Sequence, residues 1–356
     1  MRRLNDTILR LSSTPKLAGM MPTILPSRLK PLPSAGSNPG ALVGSYYVPD
    51  GGGRLPLVVV LHGCTQNAAV YDHGAGWSAL AERHGFALLF PEQQRANNPN
   101  LCFNWFSPDD NHRDVGEALS IRQMVAAMID RHPIDPARIF VTGLSAGGAM
   151  TSVMLASYPE VFAGGAIIAG LPFAAASSVP EAFDRMRGHG HVDGDAYAAA
   201  VRGASVHGGP WPTVSVWHGS ADRTVAAMNA DAIIGQWRSL HGAGIAPDRD
   251  EMVDGVRHRA WRDRAGRDAI QDYRIDRMGH GTPLGTAGTT ACGSPGAYML
   301  DVGISSTWHI AADWGLIDDI QAAVTRTPPA TPAMPVQAGG IQGTIEAALR
   351  SAGLMR

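Results

Sequence analysis

A serine framed by glycines is the residue of this chain best placed for chemistry. Ser145 lies at the centre of Gly-Leu-Ser-Ala-Gly, residues 143–147, after the β-branched and aromatic run 138–142 and before the helix-like run 149–156. A GxSxG sequence between a strand and a helix is typical of a sharp turn that lifts a nucleophilic serine above a sheet, and the glycines leave room for neighbouring backbone. We therefore interpret Ser145 as a nucleophile. The plain alternative is a strand-to-helix turn without chemistry.

A serine hydroxyl is a weak nucleophile at neutral pH, so it needs a base within hydrogen-bond reach and a carboxylate that orients that base. His280 directly follows the run 273–278, and Asp222 follows the run 213–217, both of which we predict to be strands. The chain order Ser145, Asp222, His280 is that of α/β-hydrolases. We predict that these three residues form a catalytic triad.

The other histidines and acids have poorer settings. His218 is too close in sequence to the predicted acid, because a base and its orienter should meet from separate loops. His309 lies in a helical context, Asp276 lies inside a predicted strand, and Asp301 does not follow a strand end. We interpret His62 as a structural residue that fixes the loop after its strand.

Ester or amide chemistry through a serine also needs N–H donors aimed at the oxyanion. The backbone amides of Ala146, next after the nucleophile, and Cys64, in the loop after an earlier strand, occupy the positions that this architecture uses. A backbone donor leaves its side chain free, so Cys64 could be bonded to Cys102, which would rigidify one wall of the site. The alternative is a pair of buried thiols.

Two loops are candidates for substrate binding. Thr65 and Gln66 lie in the polar loop that follows the apolar strand 57–61, where open α/β sheets place ligands. Trp105 and Phe106 lie in the long irregular loop 92–114, and long loops with aromatic residues often bind something. The alternative for these two aromatic residues is that they anchor the loop on the core.

Strands alternate with helices along most of the chain, which predicts an α/β fold with a mostly parallel central sheet flanked by helices. We predict a proline-rich N-terminal extension (1–44), a catalytic domain (45–320) and a proline-rich C-terminal tail (321–356). The Ala-, Ser- and Gly-rich stretch 171–210 departs from the alternation, so we interpret it as an insertion over the site. It is either a lid or a surface excursion without a gating role.

The charge balance and the cysteine content exclude several classes of binding partner. With 29 Lys and Arg against 31 Asp and Glu, the chain has no broad basic field for nucleic acid and no polybasic membrane patch, so the expected substrate is a neutral or weakly charged small molecule or oligomer. No apolar run approaches the ~20 residues of a membrane helix. The three cysteines lack metal-ligand spacing. We predict no metal and no cofactor; the oligomeric state is left open.

Several motifs in order resemble those of the poly(3-hydroxybutyrate) depolymerase family of esterases. They lie between about Ser45 and Leu316, and they are LHGCTQ (61–66), FPEQ (90–93), CFNWF (102–106), GLSAGGAM (143–150), HGSADRTV (218–225), GHG (279–281) and GISSTWHI (303–310). The resemblance implies an α/β-hydrolase fold, a triad of Ser145, Asp222 and His280, and hydrolysis of polyester, short-chain acyl or aryl esters. Feruloyl and acetyl-xylan esterases are close relatives of that family.

We therefore predict a serine esterase that acts through an acyl-enzyme. The alternatives are a feruloyl or acetyl-xylan esterase, an acyltransferase that uses the same triad, and a catalytically silent binding protein. Secreted family members carry a signal peptide, which the first ten residues do not predict, so the expected location is extracellular by resemblance or cytoplasmic by the lack of a signal. The tail is too short for a separate substrate-binding domain, so we expect soluble oligomers or small esters as substrates.

Overall fold

The central sheet holds the fold together, and its strands are those of the long apolar runs in the sequence. The computed structural model describes residues 27–317. Six strands lie side by side and parallel in the order β4, β3, β5, β6, β7, β10. They are β3 (Leu55–Leu61), β4 (Ala87–Glu92), β5 (Ile134–Leu144), β6 (Gly164–Ile168), β7 (Thr213–Gly219) and β10 (Asp268–Ile275).

Antiparallel strands complete both edges, giving ten strands in the sheet of the described residues. One edge carries β1 (Lys30–Pro31) and β2 (Val43–Tyr47), and the other carries the hairpin of β8 (Arg249–Val253) and β9 (Val256–Arg262). A separate small sheet pairs β11 (Thr282–Leu284) with β12 (Met299–Asp301) in parallel. The prediction of a mostly parallel sheet is confirmed.

Eight helices flank the sheet in the described part of the chain. They are α1 (Ala68–Ala75), α2 (Trp77–His84), α3 (Gly116–Arg131), α4 (Ala146–Ser157), α5 (Val179–Met186), α6 (Gly194–Gly203), α7 (Met228–His241) and α8 (Ser306–Asp313). None of the helices within residues 27–317 combines the length and apolarity needed to cross a bilayer.

Two hydrophobic clusters cover the two faces of the sheet. Successive residues of β3 point to opposite faces, so that Leu57, Val59 and Leu61 belong to one cluster while Val58 and Val60 belong to the other. Every residue of β3 is buried, as expected for a central strand covered on both sides. This double burial explains why the run is apolar throughout instead of alternating.

Local turns set where the strands at one edge of the sheet end. The hairpin β8–β9 turns at residues 254 and 255, both of which have positive φ angles. The last parallel strand ends at Ile275, so the prediction that Asp276 lies inside a strand was wrong; this aspartate is exposed beyond it.

The domain boundaries stay a prediction. Most of the predicted extension 1–44 and the whole of the predicted tail 321–356 lie outside the described residues. The described end of that extension contributes β1 and the start of β2 to the sheet. The stretch 171–210, predicted as an insertion over the site, contains two helices, α5 and α6.

Candidate active site

Ser145 lies in a strained turn between β5 and α4. Its φ of 57° and ψ of −116° are unusual for a residue with a side chain. Two backbone hydrogen bonds hold it there: its N–H donates to Ile168 O at 2.9 Å, and its carbonyl accepts from Ala149 N at 2.8 Å. The first bond comes from the neighbouring strand β6 and the second from the first turn of α4. The turn is therefore fixed from both sides.

The glycines of the motif are required by close backbone approach. A Cβ on Gly143 would lie 2.5 Å from the carbonyl group of Gly147, and a Cβ on Gly147 would lie 2.3 Å from Leu61 O. Both neighbours are backbone atoms that cannot move aside. The serine turn thus packs directly against the backbone at the end of β3. This contact brings the loops that follow β3 and β5 together at one edge of the sheet.

The loop after β7 presents Asp222 to His280. Asp222 Oδ1 accepts hydrogen bonds from the backbone N–H groups of Thr224 and Val225 at 2.8 and 2.9 Å. Its other oxygen, Oδ2, accepts from His280 Nδ1 at 2.7 Å. The imidazole thus carries its proton on Nδ1, and Nε2 is left with a lone pair that can accept a proton. This is the orientation that a general base requires.

Electrostatics keeps Asp222 ionised. Burial acts to raise the pKa of this carboxyl, but the hydrogen bond and charge of His280, together with His218 and the Val225 amide, outweigh it and hold the pKa below its usual range. A carboxylate that stays charged can stabilise an imidazolium formed during a reaction.

Ser145 and His280 line the same cavity. Within residues 27–317 no hydrogen bond joins the Ser145 hydroxyl to the imidazole. Hydrogen bonds of this kind are often long in structures without a substrate and shorten when one binds. The structure therefore brings the predicted nucleophile, base and acid to one end of the sheet.

His218 lies beneath the acid instead of beside the nucleophile. Its Nε2 is 3.5 Å from Asp222 Oδ2 and donates to Val225 O at 2.8 Å. The side chain is fully buried, and this burial lowers its pKa. A buried, neutral histidine whose Nε2 is engaged cannot take a proton from Ser145, so His218 supports the turn that carries Asp222.

Two backbone amides border the cavity next to Ser145. Ala146 is the first residue of α4, so its N–H has no acceptor within the helix. The amide of Cys64 donates to no backbone acceptor in the described part of the chain, whereas the next amide, that of Thr65, donates to Asn100 O at 2.7 Å. Of the residues in this loop, Cys64 thus has the amide available for a substrate oxygen.

A disulfide and one side chain hold the Cys64 loop. Cys64 is bonded to Cys102, which lies in the loop 92–114. Gln66 Oε1 accepts from Gly63 N at 2.9 Å, and the side chain of Gln66 is buried although it borders the cavity. The contact that Gln66 can offer a substrate is therefore small, and its main contact closes the loop.

A buried polar network lies behind this loop. His62 donates from Nδ1 to Gly63 O at 2.8 Å, and its Nε2 accepts from Gln93 N at 3.1 Å, which agrees with its predicted structural role. The side chain of Gln93 contacts Glu117, which also accepts from Asn104 N at 2.8 Å. Burial lowers the pKa of His62 to about 4 and, with the nearby carboxylate of Asp110, raises the pKa of Glu117 to about 8.

The cavity has a volume of about 470 Å³ and mainly apolar walls. The predicted substrate-binding residues Thr65, Gln66, Trp105 and Phe106 all line it. Trp105 is nearly buried and meets Phe106 edge to face at 5.6 Å, so it both anchors its loop and borders the cavity. No Lys, Arg, Asp or Glu side chain is among the described residues that line the cavity.

Two groups are among the lining residues that sequence reasoning missed. The first is one face of α5, formed by Val179, Ala182, Phe183 and Met186. Their helical spacing was a usable signal, because apolar residues recur at i, i+3, i+4 and i+7. The second is Tyr298, for which the surrounding Gly296-Ala297 gives no comparable signal.

Comparison with known proteins places this chain in a family. The family described as esterase PHB depolymerase matches residues 42–251. The chain is 47% identical to poly(3-hydroxyalkanoate) depolymerase C of Paucimonas lemoignei, over 79% of this chain and 69% of the relative. It is 32% identical to feruloyl esterase B of Talaromyces stipitatus, over 65% of this chain and 67% of that protein.

A solved structure agrees with this result. The acetyl xylan esterase from Aspergillus awamori matches with a TM-score of 0.65 and 25% identity, over 71% of this chain and 93% of that one. The predictions of the fold, of the family and of ester hydrolysis are confirmed. The chain belongs to the esterase PHB depolymerase family and is a carboxylic ester hydrolase with the α/β-hydrolase fold.

Proposed function

We propose that Ser145, His280 and Asp222 are the nucleophile, general base and orienting acid of an acyl-enzyme mechanism. Ser145 Oγ attacks the ester carbonyl while His280 Nε2 takes its proton. The amides of Cys64 and Ala146 donate to the oxyanion of the tetrahedral intermediate. His280 then gives the proton to the leaving alcohol as the carbon–oxygen bond breaks, and water releases the acyl group by the same steps.

One observation carries this proposal. The 2.7 Å hydrogen bond from His280 Nδ1 to Asp222 lies beside a cavity that is also lined by Ser145 in its strained turn. The surrounding backbone holds Ser145 in this strained conformation, and strained residues of this kind gather at reactive sites.

The cavity walls support an uncharged ester of limited size as the substrate. A volume of about 470 Å³ lies within the ordinary range for small-molecule sites. Charged lining side chains are absent from the described cavity, which disfavours substrates with a charge near the scissile bond. Together with the likeness to a poly(3-hydroxyalkanoate) depolymerase, this supports oligomers of 3-hydroxybutyrate or related short-chain acyl esters.

A second candidate is an aryl or acetyl ester of plant polysaccharide. The likeness to feruloyl esterase B and to an acetyl xylan esterase supports it, as do the aromatic side chains of Trp105, Phe106 and Phe183 in the cavity. Hydrolysis rates on 3-hydroxybutyrate trimer, p-nitrophenyl esters of graded chain length, methyl ferulate and acetylated xylan separate the two candidates.

Ser145→Ala tests the mechanism. We expect kcat on p-nitrophenyl butyrate to fall by about 10⁶-fold, since the other triad members do little without the nucleophile. A fluorophosphonate probe should label the native protein and not this variant. Ser239→Ala, on α7 and outside the cavity, is the matched control and should keep both activity and labelling. Full activity of Ser145→Ala would refute the assignment.

A further inference from the structure

The small sheet β11–β12 brings Tyr298 next to His280. Its two strands are parallel, with Thr282 paired to Met299. His280 and Tyr298 both lie just before these paired residues, so they emerge from the same end of the small sheet. The hydroxyl of Tyr71 contacts Thr282 Oγ1 at 3.1 Å and helps to fix this sheet against α1.

Tyr298 is held rigidly against the imidazole. Its ring meets the ring of His280 edge to face, with 6.2 Å between centroids and 81° between planes. Its carbonyl accepts from Thr282 N at 2.8 Å. Its φ of 62° is rare for a bulky residue, and such strain persists where the surroundings impose it.

Tyr298 also faces the cavity wall formed by the oxyanion loop. Tyr298, Thr65 and Cys64 line the same cavity as His280. Burial raises the pKa of the Tyr298 hydroxyl, and hydrogen bonding with the Thr65 side chain acts to lower it. The residue as a whole is half-buried.

The chemistry of the reaction says which part of the ester lies here. His280 must deliver a proton to the alcohol oxygen, so the leaving alcohol lies next to the imidazole. The acyl chain is held on the far side of the carbonyl carbon. The lining residues closest to His280 are Tyr298, whose ring meets the imidazole, and Thr224 and Val225, whose amides donate to the acid that holds it.

We propose that Tyr298 is the wall of an alcohol subsite that selects uncharged leaving alcohols with a flat group, either an aromatic ring or a further ester. This inference rests on the proposed function. The ring of Tyr298 offers a flat apolar surface, and the hydroxyls of Thr65 and Thr224 offer hydrogen bonds to an ester oxygen. Tyr298 is thus a residue that determines specificity for the alcohol. The cavity residues of α5 and of loop 92–114 then bind the acyl group.

The test varies the alcohol while the acyl group stays butyryl. The substrates are methyl butyrate, benzyl butyrate and methyl 3-(butyryloxy)butanoate, and the readout is kcat/KM, which reports acylation. Tyr298→Asn removes the ring and tolerates the positive φ. Tyr298→Ala is a second ring-free variant, Tyr298→Phe keeps the ring, and Tyr47→Ala, on strand β2, is the control for loss of a tyrosine elsewhere.

In the ring-free variants we expect kcat/KM for benzyl butyrate relative to methyl butyrate to fall about tenfold, the size of one lost aromatic contact. The ester-bearing alcohol should show the same fall; a fall for only one of the two identifies which flat group the subsite takes. Tyr298→Phe and Tyr47→Ala should leave both ratios unchanged. Labelling by a fluorophosphonate shows that each variant is folded.

Unchanged alcohol ratios in a labelled ring-free variant would overturn the inference. So would an equal change in the ratio of methyl hexanoate to methyl acetate, because that ratio reports the acyl side. These results differ from failure of the proposed function, which would appear as activity in Ser145→Ala whatever the alcohol.

Discussion

Removing the bridge between Cys64 and Cys102 should weaken both the fold and the reaction. The disulfide closes a segment with a sequence separation of 38 residues. In the chain-entropy description, a loop of that length restricts the unfolded state by about 13 cal/mol/K, which corresponds to about 4 kcal/mol at 25 °C. We therefore expect Cys102→Ser to lower the midpoint of thermal unfolding by about 6 °C.

The effect on catalysis follows from the position of Cys64. Its amide is the proposed oxyanion donor, and complete loss of one such donor costs about 10² to 10³ in kcat. The loop is still held by Gln66 and by the network of His62, Gln93 and Glu117. Cys102→Ser should thus reduce kcat by only about tenfold, with KM changing less.

Thermal melts and kcat on p-nitrophenyl butyrate measure both effects. The free thiol Cys292, which contacts Ser305 Oγ at 2.9 Å, provides Cys292→Ser as the matched control. Native protein treated with a reductant should behave as Cys102→Ser does. A Cys102→Ser variant that melts no lower than Cys292→Ser would contradict this prediction, as would a reduced native protein with an unchanged melting temperature and kcat.

Two further predictions concern buried acids. In Asp222→Asn, the Thr224 and Val225 amides retain the side-chain oxygen, so the new NH₂ group must face His280 Nδ1. The imidazole is then held in the wrong tautomer, so kcat should fall by about 10⁴-fold. Steady-state rates measure this fall, and a loss of less than about tenfold would contradict the prediction. Glu117 has a folded pKa of about 8, raised by burial from 4.5, so the folded chain keeps a proton that the unfolded chain releases. The contribution of Glu117 to the free energy of unfolding is fully present below pH 4.5. It is lost as the pH rises towards 8, at about 1.4 kcal/mol per pH unit. Thermal melts measured against pH should show this loss of stability in the native protein but not in Glu117→Gln. An identical loss in the two proteins would exclude Glu117 as its source.

Sequence predicts those parts of the site whose geometry follows from a short stretch of chain or from the end of a recognisable strand. The serine turn is determined by contacts of Gly143 and Gly147 with adjacent backbone, so five consecutive residues specify it. The acid and base were found because parallel strands end at one edge of a sheet, which turns sequence position into spatial proximity. The long apolar runs gave the central strands for the same reason, since burial on both faces requires apolar residues throughout.

The parts that sequence did not predict depend on distant contacts. β11 and β12 have three residues each, too few to show a period, yet their pairing places Tyr298 beside His280. Helix α1 contains Gly74, a poor helix former, at a point where a side chain would meet Met299 Cγ at 2.7 Å. Packing against β12 therefore overrides the low helix propensity of Gly74. No sequence pattern within 68–75 predicts this packing.

The anchoring of the triad limits what moves when a substrate binds. Ser145 is held by hydrogen bonds to two elements in a turn whose glycines touch backbone, so its backbone is fixed and its Oγ moves only by rotation about the Cα–Cβ bond. His280 follows Gly279, whose Cβ position opens on free space, although the imidazole itself is only 8% exposed. The hydrogen bond between base and nucleophile should therefore form by rotation of the two side chains while the serine turn stays in place. Because Tyr298 meets the imidazole edge to face, an alcohol bound against Tyr298 also lies beside the base.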